Sequence, residues 1–237
     1  MRLLGLTGGT SWESTVLYYQ LINRMTRERL GGHHSAPLVL RSVDFAPLEA
    51  AMAADDWETV ARHQIDAARL LWTAGAEALV ICANTMHKVA DRVQAAVDLP
   101  LIHIADATAD AILATGCKRP LLLATRYTME QPFYRERLAR HGVEAQVPDL
   151  AGRDRVHAII FDELVKGVVS PASKAELLAL IAGMRGGEGV DGVIFGCTEI
   201  GMILGPGDFD IPTFDTAEIH ARAAVDFALE DRLPGAP

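Results

Sequence analysis

The sequence predicts an α/β protein of two similar domains, each a mostly parallel sheet flanked by helices, and three observations carry that expectation. Strand-like apolar runs alternate with helix-length amphipathic segments along the chain. Ala78-Leu-Val-Ile-Cys-Ala-Asn-Thr85 is echoed by Gly192-Val-Ile-Phe-Gly-Cys-Thr-Glu-Ile200, so that Ala83-Asn84-Thr85 stands where Cys197-Thr198-Glu199 stands later. Leu3-Leu-Gly-Leu-Thr-Gly-Gly-Thr-Ser-Trp-Glu13 is matched in the same way by Leu121-Leu-Leu-Ala-Thr-Arg-Tyr-Thr-Met-Glu130, a mostly apolar stretch followed by a hydroxyl-rich turn. Both pairs are displaced by a similar length, as a duplicated half would be. Ligands of open α/β sheets bind outside the carboxyl ends of the strands, so matching strand-end loops predict a site at the junction of the halves.

Taken in order, the first strand ends at Gly8-Gly9, which permit a tight turn, and Ser11 or Ser14 caps a helix through Tyr18, Tyr19, Leu21, Ile22 and Met25. Gly31-Gly32 ends that helix, and Leu38 to Phe45 reads as a second strand. Residues 56 to 74 place Trp57, Val60, Ala61, Ile65, Ala68, Leu71 and Trp72 on one helical stripe, a core face, closed by Gly75. After the strand that leads to Asn84, Leu99 to Ile104 reads as another strand, and Asp106 to Gly116 as a helix. The second half opens with strand 121 to 124, its loop Thr125 to Thr128 and a helix from Glu130 to His141. Residues 155 to 166 read as a helix, Ser170-Pro171 begins another that runs to a glycine-rich break at Gly183 to Gly189, and the Cys197 strand follows. Pro212 to Asp215 reads as a last short strand and Thr216 to Leu229 as a closing helix that packs back on the first half. The tail after Leu233 reads as disordered. The expected domains are 1–100 with 212–237, and 101–211.

Composition narrows the function classes. A chain of 237 residues, half of them hydrophobic, can bury a proper core. A formal charge of −9 without clustered Lys and Arg argues against a nucleic-acid surface. No apolar run approaches membrane-spanning length, and Met1 leads straight into a strand pattern without a secretory leader. Cys82, Cys117 and Cys197 make no CxxC pair, which fits reduced thiols in a cytoplasm and argues against a cysteine zinc site. No metal is expected.

At Cys197 the sequence supports two readings. Free cysteine is among the most buried residue types, so this one can be a small hydrophobe of the core. A thiol, a hydroxyl and a carboxylate arriving together at a strand's carboxyl end also suit proton-transfer chemistry. The loop Gly8-Gly9-Thr10-Ser11 before a helix is a possible anion cradle, yet it lacks the Gly-Lys-Ser/Thr of a nucleotide loop and the full GxGxxG, which sets ATP and NAD aside.

Gly8-Gly-Thr-Ser-Trp-Glu-Ser-Thr15, Asn84-Thr-Met-His-Lys88, Thr125-Arg-Tyr-Thr-Met-Glu130 and Gly196-Cys-Thr-Glu-Ile200 together resemble the cofactor-independent aspartate/glutamate racemases, most closely the branch that prefers the L-enantiomers. The resemblance runs over nearly the whole chain. It implies two domains related by a pseudo-twofold axis with the active site between them, an acidic amino acid as the small-molecule substrate, no cofactor, and a homodimer. Inverting the α-carbon means taking a proton from one face and returning one to the other, which requires an acid/base group on each side. A thiol, with a reference pKa of about 8.5, suits that work. The carbanion beside the carboxylate must be held by donors, for which Asn84, Thr85 and Thr198 with their neighbouring N–H groups are placed.

The sequence departs from the family at the position before Asn84-Thr85. Members usually have cysteine there, and the L-preferring branch has threonine; here it is Ala83, which has no proton to give. Cys82, one residue earlier, should point to the opposite face of its strand. Three explanations stay open: an engineered change, a natural one-cysteine racemase in which water protonates the second face, or another reaction of the superfamily such as decarboxylation of an arylmalonate. The favoured reading is racemase ancestry with impaired or one-sided activity at Cys197. A non-catalytic amino-acid-binding protein is the rival from another class, and the absence of a lysine at a strand end disfavours PLP chemistry.

The remaining candidates carry two readings each. Lys166 matches the family's lysine for the side-chain carboxylate, or is a solvated helix-end cation. Arg126 offers the same service or is merely exposed. Thr10 and Ser11 reach the ligand or cap a helix. Thr125 and Thr128 belong to the matching loop of the second half. Glu199 orients Cys197 or the substrate ammonium, or caps a strand end. His87, His103 and Asp106 read as structural. Where the family often has an arginine after the second strand, this chain has Pro47, Leu48 and Met52.

Overall fold

The computed structural model describes residues 1–230. The chain forms two compact units, one of Met1–Ile104 joined by the segment that begins at His220, the other of Ala105–Ile219. The first unit opens with β1 (Leu4–Gly8), α1 (Trp12–Leu30), β2 (Leu38–Ser42), α2 (Phe45–Ala53), α3 (Trp57–Thr73), β3 (Ala78–Ile81) and α4 (Ala90–Gln94). Helix α5 (Ile104–Ala114) leads out of it. The second holds β4 (Pro120–Leu123), α6 (Arg126–Glu130), α7 (Pro132–Arg140), α8 (Leu150–Ala158), α9 (Pro171–Glu188), β5 (Gly192–Phe195) and β6 (Thr213–Asp215). Helix α10 (Thr216–Leu229) closes the described chain.

Both sheets are parallel, and their strand orders correspond. In the first unit β2, β1 and β3 lie side by side, and Leu101 adds a single bridge beyond β3 at Leu79. In the second, Gln146 bridges Leu121 on one side of β4, and β5 and β6 follow on the other. Each sheet therefore reads second, first, third, fourth in chain order, the duplication that the sequence echo predicts. β1, β3, β4 and β5 are buried along their whole length, which explains their near-continuous apolar runs. Tyr18 and Ile22 of α1 and Val60, Ala61, Ala68 and Leu71 of α3 supply the core of the first unit. Tyr134 and Leu138 of α7 and Leu177 and Ile181 of α9 do so in the second.

Several expected boundaries shift. Residues 99–104 make one bridge, with no extended strand, because Ile104 already starts α5; the pairing is spent in Leu79 N–H to Pro100 O and Ile102 N–H to Leu79 O. The expected strand to Phe45 ends at Ser42, and Asp44 caps the unforeseen helix α2. The expected loop Thr125 to Thr128 is taken up by the short helix α6, and the expected helix from Glu130 starts at Pro132, as α7. The expected helix 155–166 begins earlier, at Leu150, and winds into a π turn over Ile159–Glu163 and a 3₁₀ turn over Leu164–Lys166. The expected break at Gly183 is absent: α9 runs to Glu188 and stops at Gly189, whose φ of 66° is the left-handed conformation of a C-terminal cap. Trp72, expected in the core, is 46% exposed. The expected boundary at 212 precedes β6, which pairs with β5 and so stays in the second unit. From His220 onward α10 belongs to the first unit, where Ala228 O accepts from Arg2 N–H and Asp226 pairs with Arg29. The tail after Leu233 lies outside the described residues.

Candidate active site

In the first unit, two loops leave the carboxyl ends of adjacent strands. Gly9 follows β1 with φ 92°, and a Cβ there would lie 2.2 Å from the Val43 carbonyl oxygen, so only glycine lets the chain pass. Gly9 N–H donates to Thr15 Oγ1 at 2.8 Å, and the Thr15 hydroxyl donates to Ser11 O at 3.0 Å. Ser11 is the N-cap of α1, its hydroxyl accepting from Ser14 N–H at 3.3 Å, which fills the helix-capping alternative. Thr10 is 8% exposed. Thr15 and Ser14 of α1 thus bond the loop at Gly9 and Ser11.

After β3 the chain enters Ala83-Asn84 and a 3₁₀ turn, Thr85–Val89. Cys82 has no exposed surface, its sulfur lies 3.9 Å from Val80 O, and burial pushes its thiol up and keeps it protonated. Ala83 is half-buried, and Asn84 is 7% exposed with Thr85 beside it half-buried. His87, 3% exposed, reaches back so that Nδ1 stands 2.8 Å from Ala83 O. Leu48 of α2, in the segment after β2, is fully buried.

In the second unit β5 ends at Gly196, where a Cβ would lie 2.7 Å from the Leu122 side chain, and Cys197 follows in extended backbone. The Cys197 thiol donates to Glu199 Oε2 at 2.8 Å, and the Thr198 hydroxyl donates to the same oxygen at 2.7 Å. Burial drives the Cys197 thiol well above its ordinary range; the Glu199 charge and its hydrogen bond add to that. At rest the sulfur therefore holds its proton and presents it to a carboxylate that is 8% exposed. One Glu199 carboxylate oxygen thus accepts from both Cys197 and Thr198.

The other candidates gather around this turn unequally. Thr125 precedes α6, and its hydroxyl lies 3.4 Å from that of Thr128, which has no exposed surface and supports Thr125 from below. Leu164–Lys166 packs against the turn Thr198–Met202, which follows Cys197 directly. The Lys166 side chain is 64% exposed, with Nζ 3.9 Å from Asp162. The π turn just before it is a geometry that collects at functional sites. Arg126 is held by Asp154 at 2.9 Å, and its N–H donates to His157 Nδ1 at 3.3 Å. Burial, then the Arg126 charge, lowers the His157 pKa. Asp106 receives both arms of Arg137 at 2.7 Å, a structural pair.

A buried histidine cluster escaped the sequence reading. Tyr18 O–H donates to His220 Nδ1 at 2.8 Å, His220 Nε2–H donates to Ile102 O at 2.6 Å, and the His87 ring stands 4.7 Å from His103 and 5.5 Å from His220. No local signal announces it, because positions 18, 87, 102 and 220 meet only in the fold. Among the described residues no group of three His, Cys, Asp or Glu could hold a metal ion.

A sequence model of the Asp/Glu/Hydantoin racemase family matches residues 8–224. The chain is similar to the crystal structure of a candidate Asp/Glu racemase from Yersinia pestis, with 50% identity, 97% of this chain and 100% of that one covered, and a TM-score of 0.92. It is also similar to an aspartate racemase homologue from Pyrococcus horikoshii, with 37% identity, 96% and 99% coverage, and a TM-score of 0.87. The broad specificity amino-acid racemase RacX of Bacillus subtilis is 23% identical over 172 residues, 72% of this chain and 73% of that protein. With a family match that spans both units and both strand-end loops, this chain belongs to the Asp/Glu/hydantoin racemase family.

Proposed function

We propose that this chain moves the α-proton of L-aspartate or L-glutamate at Cys197, without a cofactor, as an acidic amino-acid racemase that works mainly on one face. The observation that carries the reading is the Cys197 thiol set at the end of β5 and held at 2.8 Å by Glu199. When the Cys197 proton passes along that bond to Glu199, the thiolate can take the α-proton and become a thiol again. The electron pair left on the α-carbon delocalises into the substrate carboxylate. The Thr198 hydroxyl and the Asn84 and Thr85 donors stabilise that charge, and Thr10, Ser11, Thr125 and Thr128 shape the binding loops. Lys166, with its exposed ammonium, takes the side-chain carboxylate.

Ala83 stands where the second acid/base group belongs, so the opposite face is protonated by water. Proton NMR in D2O tests this directly. Loss of the α-proton signal from L-aspartate or L-glutamate with little D-product is expected, and an Ala83→Thr variant is expected to raise D-product by roughly 10² or more, the scale of one positioned proton transfer. Absence of exchange from both proteins would remove the racemase reading for these substrates. Release of carbon dioxide from an arylmalonate would install the decarboxylase reading, and binding of L-aspartate without exchange the binding-protein one.

A homodimer in a cytoplasmic setting is part of the same proposal. Trp12, Val16 and Tyr19 are 65%, 44% and 56% exposed at helical spacing on α1, an apolar stripe of the kind that a second copy covers. Sedimentation equilibrium is expected to return twice the chain mass of 25.6 kDa; a single-chain mass across micromolar concentrations removes the dimer. The three cysteines are free, as a reducing compartment would keep them, and no described helix is long and apolar enough to cross a membrane.

A further inference from the structure

The loop after β3 has an unusual way of satisfying its first carbonyl. The 3₁₀ turn spends His87 N–H on Asn84 O, at 3.0 Å. In an α-helix that N–H would reach Ala83 O instead, so the His87 side chain takes over that acceptor, at 2.8 Å. The other ring nitrogen settles the tautomer. Nε2 accepts from Ile104 N–H at 3.3 Å, and a backbone N–H can only donate, so Nε2 is bare and the proton sits on Nδ1. The ring is 3% exposed and stands edge-on to His103 and His220, and a flipped ring would put carbon where Ala83 O and Ile104 N–H need nitrogen.

A trans peptide points its carbonyl and the following N–H in opposite directions, so holding one aims the other. We propose that His87 is the positioning residue of the Ala83–Asn84 peptide: it ties the Ala83 carbonyl to the start of α5 through Ile104 and thereby aims the Asn84 N–H at the substrate carboxylate. The inference rests on the reading of Asn84 as a substrate-carboxylate donor. It gives the buried histidine a task that a helix cap or a filler of the core does not have, because the residue it orients sits at the carboxyl end of β3, where ligands of such sheets bind.

Two isosteric replacements separate the bonds. His87→Asn places an amide N–H near the Nδ1 position and keeps the grip on Ala83. His87→Gln carries its amide out to the Nε2 position, where it can still accept from Ile104 but no longer reaches the Ala83 carbonyl. The Asn84 amide resonance and its hydrogen exchange are expected to stay close to the parent in His87→Asn and to move in His87→Gln. Binding and α-proton exchange of L-aspartate should hold within about threefold in the first and fall roughly tenfold to a hundredfold in the second, at similar thermal midpoints. Equal losses in both variants that track the thermal midpoint, or an unmoved Asn84 amide in His87→Gln, overturn the proposal. Two-bond proton–nitrogen spectra of the unmodified protein give a test independent of how the variants fold: a protonated Nε2 on His87 overturns it as well. If the parent protein neither binds nor exchanges acidic amino acids, the functional reading fails, while the Asn84 amide and the ring tautomer still report on the positioning.

Discussion

Replacing Cys197 with serine is expected to lower α-proton exchange of L-aspartate by roughly 10² to 10⁴, the range that a positioned general base contributes. Serine keeps the size and the hydrogen bond to Glu199 but holds its proton far more tightly than a thiol, so the loss reports on proton affinity and leaves packing aside. The geometry makes a further distinction. Burial and the Glu199 charge both push the Cys197 thiol up, which favours the protonated form in the free protein. Glu199→Gln removes that charge while the amide can still accept a hydrogen bond from the sulfur. It is therefore expected to bring the thiol down, visible as a thiolate absorbance at lower pH, and yet to slow exchange, because no carboxylate remains to take the thiol proton. Binding of L-aspartate should survive in Cys197→Ser. Exchange at the parent rate in that variant would sink the assignment of Cys197 as the base.

Acidification should destabilise the fold well before most carboxylates are protonated. Burial lowers His220 from an ordinary value of 6.5 to about 4, opposed by its hydrogen bond to Ile102 O and reinforced by nearby His103. The unfolded chain binds a proton at this residue between those two pH values and the folded chain does not, so stability rises with pH across that window. It is fully present above about pH 6.5 and lost progressively toward pH 4. At about 1.4 kcal/mol per pH unit, the loss is on the order of 3 kcal/mol, a large share of the 5–15 kcal/mol that typical domains have. The chemistry agrees, because a charged ring could no longer accept from Tyr18 O–H through Nδ1. Urea unfolding at pH 7.5 and pH 4.5 measures the difference. In His220→Gln it should shrink by about 3 kcal/mol, and an unchanged difference would reassign the acid sensitivity to other groups.

Strand-end chemistry was legible in the residues because it is local. Gly196-Cys-Thr-Glu199 holds the proposed acid/base thiol, its hydroxyl neighbour and the carboxylate that bonds both within four positions, and the matching run at Ala83-Asn84-Thr85 gave the duplication away. The strands could be read because burial on both faces leaves an unbroken apolar run with a sharp polar end. Element edges were less legible where a single hydrogen bond decides them: residues 99–104 look like a strand by composition, yet they pair at one point only because α5 begins at Ile104. The glycines of α9 look like a break, and packing of Leu177 and Ile181 carries the helix past them at the cost of their low helix propensity.

The sequence by itself determined the α/β class, the duplicated halves and the four stretches that carry the family resemblance, since each is written in a window short enough for local rules to apply. Only the tertiary structure decided that Thr128 is sealed beside Thr125 and that His87 grips Ala83 with its proton on Nδ1. The Tyr18–His220–Ile102 link spans 202 and 118 positions of chain, and no periodicity or spacing foretells it. The physical reason is that a hydrogen bond in the core depends on where two donors and acceptors are brought, and on the loss of water around them, neither of which exists before the fold does.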